Sequence, residues 1–123
     1  MAVTEITPTA VVLDTAFALT QGAGTAINAA NEMEIPYPKQ GNLLIVIDSD
    51  HADTAATLKA GFGVAKGLGA LTVAVGNTVQ SGIIVSSDRL KVATGLGTNT
   101  LKGIIELDWA ANSAGFVRAY YLP

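Results

Sequence analysis

The residues best placed for chemistry lie in one stretch, DSDHADTAATLKAG, at positions 48 to 61. Asp48, Asp50 and Asp53 flank His51, the only histidine of the chain. Carboxylates beside an imidazole could hold a cation or move a proton. A calcium loop of the EF-hand type needs oxygen ligands at positions 1, 3 and 5, glycine at 6 and glutamate at 12. Counted from Asp48, position 3 is Asp50, but positions 5, 6 and 12 are Ala52, Asp53 and Lys59. Zinc calls for several His or Cys ligands, and the chain has one His and no Cys. The stretch is therefore expected to be a solvated connection between strands.

Other constellations fare no better. The serines, Ser49, Ser81, Ser86, Ser87 and Ser113, lie in no G-x-S-x-G elbow; VQSGI lacks its first glycine. GFGVAKGLG (61–69) evokes a phosphate loop, but its order is Lys66-Gly67-Leu68, where a Walker motif needs Gly-Lys-Ser/Thr. Its glycines are expected to serve a long strand connection, as are GAG (22–24) and GLG (95–97). No catalytic residue, metal ligand or cofactor site is assigned, and the chain is not expected to be an enzyme. Of the aromatic residues, Trp109 sits on an alternating strand and suits a core. Tyr120 and Tyr121 are neighbours, so in a strand they face opposite ways, and one must point away from the core. Trp109, Tyr120 and Tyr121 are the candidate interface residues.

The elements that would carry these residues are strands. Apolar residues recur with period two and are rich in β-branched types. AVVL (10–13), TAINAANEMEI (25–35), NLLIVIDS (42–49), TAATLKAG (54–61), ALTVAVG (70–76), SGIIVSS (81–87), LKVATG (90–95), GIIELDWA (103–110) and GFVRAYYL (115–122) are the predicted strands. NLLIVIDS is the clearest, because its unbroken apolar run fits a strand buried on both faces or in a sandwich core. Ile104, Glu106 and Asp108 fall on one face of their strand and Ile105, Leu107 and Trp109 on the other. A helix over 52–66 is a weaker alternative, since Gly61 and Gly63 interrupt it. Gly, Asn, Ser and Asp separate the runs, as turns require. Strands this closely spaced indicate an all-β fold, a single β-sandwich or jelly-roll-like domain over 21–123, with an extended N-terminal arm over 1–20.

The 123 residues suit one domain. Half are hydrophobic and 14% are charged, which excludes disorder and suggests a surface that neighbours cover. The net charge is −3 and the seven Lys and Arg residues are scattered, so nucleic acid is not an expected partner. The first residues lack a basic segment and a long apolar core, so a secretion signal is not expected. No run approaches the ~20 apolar residues of a membrane helix, and no membrane contact is expected.

As a whole the chain resembles the decoration, or cement, proteins of tailed-phage heads. The resemblance lies in "GTAINAAN" (Gly24–Asn31), "NLLIVIDS" (Asn42–Ser49), "TLKAG" (Thr57–Gly61), "GLGALTVAV" (Gly67–Val75) and "GFVRAYYLP" (Gly115–Pro123), which cover most of the chain. It implies a β-sandwich, often of jelly-roll type, seated on the outside of an assembled capsid. It also implies the major capsid protein as partner, a homotrimer as the assembled form, and a virion location reached in the host cytoplasm. Where such relatives carry a short Asn/Gly turn after the core strand, this chain has the acidic DSDHAD. Two other readings compete: a tail-tube or connector subunit, and a carbohydrate-binding β-sandwich stacking sugars on Trp109 and Tyr120 or Tyr121.

Overall fold

The computed structural model describes residues 3–19, 22–37, 42–59, 69–85, 91–92 and 104–123. The described residues hold eleven strands: β1 (Val3–Glu5), β2 (Thr9–Ala10), β3 (Thr25–Ala26), β4 (Glu32–Pro36), β5 (Asn42–Asp50), β6 (Ala55–Leu58), β7 (Leu71–Ala74), β8 (Asn77–Val85), β9 (Lys91–Val92), β10 (Ile104–Trp109) and β11 (Gly115–Leu122). They contain no helix. The fold is all-β. The part of the alternative helix that falls on 55–58 is strand β6; residues 60–66 lie outside the described residues.

The strands form two mixed sheets. The first runs β1-β4-β10-β6-β7, with β9 also on β10; the second runs β2-β11-β5-β8, with β3 also on β11. Most neighbours are antiparallel, while β1 on β4 and β2 on β11 are parallel. Alternation decides which side chains meet. In the first sheet the register aligns Met33, Leu107, Leu58 and Leu71 in one row. In the second it aligns Tyr121, Leu43 and Val85, then Ala119, Ile45 and Ile83. These inward rows from both sheets join in one hydrophobic core with Ile35, Ile105, Ile47 and Val117. Each fully buried Leu or Ile contributes about 1.5–3 kcal/mol, so the two rows of contacts hold the layers face to face.

The expected arm is threaded through this framework. Residues 3–5 add to the edge of the first sheet beside β4, and residues 9–10 add to the second beside β11. Residues 12–19 are exposed. The predicted strand 10–13 pairs only at Ala10, with one further bond from the Val11 N–H to the Tyr121 carbonyl at 2.9 Å.

Candidate interaction surface

The DSDHAD stretch is a corner between the two sheets. Strand β5 belongs to the second sheet and β6 to the first, so residues 51–54 cross from one layer to the other. The crossing from β10 to β11, residues 110–114, runs beside it. The Asp50 N–H donates to the Ala114 carbonyl at 2.9 Å, and the Thr54 hydroxyl exchanges bonds with Ala114 at 3.2 Å. Ser113 Oγ accepts from the Ala55 N–H at 3.3 Å. A third crossing, between β7 and β8, joins them: the Val75 N–H donates to the Thr54 carbonyl, and Ser49 Oγ donates to the Gly76 carbonyl. Ser49, Thr54 and Ser113 are buried; their hydroxyls satisfy backbone that has left one sheet and not yet joined the other. Gly115 begins β11 at φ 135° with its Cα against the Asp48 carbonyl, a position with no room for a side chain.

Around this corner the acids part company. Asp50, His51 and Asp53 are exposed, and His51 Nδ1 accepts from the Asp53 N–H at 3.1 Å. His51 Nδ1 lies 3.8 Å from Asp53 Oδ2. Asp48 is different: it is 4% exposed and turns onto the outer face of the second sheet. There its Oδ2 accepts from Arg118 Nη1 at 2.6 Å and from the Gly22 N–H at 2.5 Å. Burial alone would raise its pKa, but hydrogen bonds from Arg118, Gly22 and Gln80 outweigh that and hold the carboxyl below its usual range. Among the described residues, no group of three or more His, Asp or Glu is arranged to hold a metal ion.

The outer face of the first sheet carries a second ionic group. Glu34 sits opposite Glu106 on neighbouring strands, and Glu32 lies two residues before Glu34 on the same face. All three are buried. Lys59 reaches Glu32 Oε1 in a close ion pair and lies 3.4 Å from Glu106 Oε2. Burial, joined by the charges of Glu32 and Glu34, raises the Glu106 pKa against the pull of Lys59, while the Glu32 bond raises that of Lys59. One ammonium shared by several carboxylates binds β6, β10 and β4 across their outer side.

The aromatic candidates are placed by the same alternation. Trp109 faces the core and is 6% exposed. Tyr121 packs against the core, and its hydroxyl donates to the Pro36 carbonyl at 2.9 Å. Tyr120 takes the opposite face and is covered by the chain's own segment: the Phe17 ring lies 5.4 Å from it, and its hydroxyl donates to the Ala18 carbonyl at 3.3 Å. Residues 11–19 and 22–24 thus strap the outer face of the second sheet. Arg118 Nη1 bonds the Ala23 carbonyl at 3.2 Å and so ties down the far end.

The strap leaves its own apolar side chains in water. Val12, Leu13, Phe17 and Leu19 are exposed, as is Ile84 on β8. Ile84 continues the row Tyr120–Leu44 across the sheet, so the row runs from the covered tyrosine to an open isoleucine at the edge. Single exposed hydrophobic residues are ordinary. Among the described residues, the five large ones on the strap and the edge strand make a surface suited to contact with protein.

No family model, no curated protein and no solved structure matches this chain. The candidate surface therefore rests on the geometry alone. Period two in GFVRAYYL separates Tyr120 from Tyr121, but it carries no trace of Phe17 over Tyr120, because that contact joins residues about a hundred positions apart. The Asp48–Arg118 pair was equally hidden, although the outward parity of Asp48 and Arg118 on two adjacent strands is a usable signal. Gly69 is the only residue of GFGVAKGLG that falls among the described ones.

Proposed function

We propose that this chain is a structural assembly protein that decorates and stabilises the exterior of a phage capsid, with the major capsid protein as its partner. The observation that carries this reading is the apolar surface of Val12, Leu13, Phe17, Leu19 and Ile84 on an otherwise self-contained β-fold. Covering such side chains with a neighbour returns roughly 25 cal/mol for each Å² removed from water, and a shell offers many identical neighbours. The low charge content and net charge of −3 favour protein contact over DNA contact. The whole-chain resemblance to cement proteins points the same way, with a virion location and a small homo-oligomer. The sugar-binding reading loses ground: Trp109 and Tyr121 turn inward and Tyr120 is covered by Phe17 and Ala18, so none of the three presents a bare ring face.

The test is cosedimentation. Purified protein is mixed with heads assembled from the major capsid protein encoded in the same genome. Saturable binding in fixed ratio to capsid subunits is expected, with the heads resisting heat better once coated. Protein that stays in the supernatant at all concentrations rejects the reading.

A further inference from the structure

The open edge of the second sheet is the feature that neither the core nor the strap explains. Strand β8 ends the order β2-β11-β5-β8 and pairs only with β5 among the described residues. The opposite side of this sheet ends in short strands, β2 and β3 of two residues each on β11. The edge strands of the first sheet are short, three residues in β1 and four in β7. Strand β8 has nine residues, NTVQSGIIV, with no charge and no proline. Proteins protect long sheet edges with lysines, prolines, bulges or a covering loop. The single irregularity here is a register shift against β5 between Asp48 and Asp50, near the Asn77 end. The stretch from Gln80 to Val85 is regular.

We propose that β8 pairs antiparallel with β8 of a second copy of this chain, joining two second sheets into one continuous sheet. The occupant follows from the chemistry of the edge. It must bring its own row of backbone donors and acceptors, and it must offer apolar or neutral polar side chains to match Gln80, Gly82 and Ile84. An uncharged β8 meets both demands, and an antiparallel strand is its own complement under a two-fold axis. Two chains of net charge −3 can approach here because no charged side chain lies on the strand. Ile84, 63% exposed on a single chain, then meets the neighbouring copy in place of water. A two-fold pair closes at two copies, whereas the resemblance to cement proteins implies three. The proposal therefore reaches beyond the capsid reading, and either can fail alone.

The mass of the free protein in solution decides it. At about 100 µM, where even micromolar self-association is populated, the wild-type chain is expected at twice its 12.5 kDa. Ile84→Lys puts a charge on an exposed site, and Gly82→Lys puts one at mid-strand, where an added Cβ meets only Leu44 Cδ1 at 3.7 Å. Each variant should fold, as buried Trp109 emission will report, and each should run at the mass of one chain. Exchange of the β8 amides that point away from β5 should be slow in the wild type and fast in both variants. A wild-type monomer, a trimer, or a dimer indifferent to both substitutions overturns the proposal. So does a β8 that becomes protected only when capsid protein is added, since the edge would then belong to the shell. Cosedimentation of the monomeric variants with heads reports on capsid binding separately.

Discussion

Replacing Arg118 by methionine removes the cation from a buried carboxylate while keeping the strand and most of the aliphatic bulk. Asp48 would retain the Gly22 N–H at 2.5 Å and its contact with Gln80 but lose the 2.6 Å bond from Nη1. Both partners are nearly dry, with side chains 8% and 5% exposed. Breaking a buried pair from one side costs about 3–5 kcal/mol, and the two remaining donors put this case near the lower end. A loss of about 3 kcal/mol corresponds to a Tm lower by roughly 10 °C for a domain of this size. The wild-type pair is incompletely satisfied, because Arg118 Nε and Nη2 and Asp48 Oδ1 have no hydrogen-bond partner among the described residues. Removing both charges should therefore cost less than removing one. Asp48→Asn combined with Arg118→Met is expected to recover at least half of the loss. Guanidinium unfolding followed by Trp109 emission measures the wild type and both variants, since Trp109 is buried in the folded chain. A single Arg118→Met loss below about 1 kcal/mol, or a double variant no better than the single, would mean that the Asp48 charge does not depend on Arg118.

Three further outcomes follow from the same geometry. The Asp48 carboxyl titrates below its ordinary 3.8 when folded, so its stabilisation is present above that pH and lost as pH falls through the lower folded value; acid unfolding curves should show this loss in the wild type and lack it in Asp48→Asn. Lys59→Met leaves Glu32 and Glu106 without their ammonium, a loss on the order of 1–2 kcal/mol after allowing for the partly exposed lysine. That loss should shrink on acidification, because protonating the carboxylates removes the buried charge; a denaturant series at two pH values reads it. Gly115→Ala should lower stability by about 3 kcal/mol or more, because a methyl group there overlaps the Asp48 carbonyl in a backbone region close to glycine-only, whereas Gly22→Ala, with open space around it, should cost about 1–2 kcal/mol; thermal unfolding of the two side by side makes the comparison.

Strands were legible because alternation is a local signal. The faces of Ile105, Leu107 and Trp109 against Ile104, Glu106 and Asp108 are those the structure has. Sheet membership was not legible, because which strands pair depends on contacts far apart in the chain. DSDHAD shows the difference. Its polarity correctly marks a connection, with Asp50, His51 and Asp53 in water. Nothing local distinguishes a hairpin tip from a corner between layers, and nothing local places Asp48 beside Arg118. The burial of Glu32, Glu34 and Glu106 was hidden for the same reason: the Lys59 ammonium that makes it tolerable comes from a distant part of the chain. The apolar surface was legible only as composition, since a low charge content says that something is covered without saying where.

The parallel pairing of β2 with β11 sets Thr9 beside Tyr120. A ribosome releases the first ten residues long before the last ten, so the opening segment must wait for its place. Strand β11 also supplies the partner of β5 and of β3, and β10 supplies that of β4 and of β6. Until residues 104–122 emerge, neither sheet has its middle. Completion of either sheet therefore waits on residues 104–122, and a truncation that removes them would leave β1–β4, β5–β8 and β6–β7 as separate pairs.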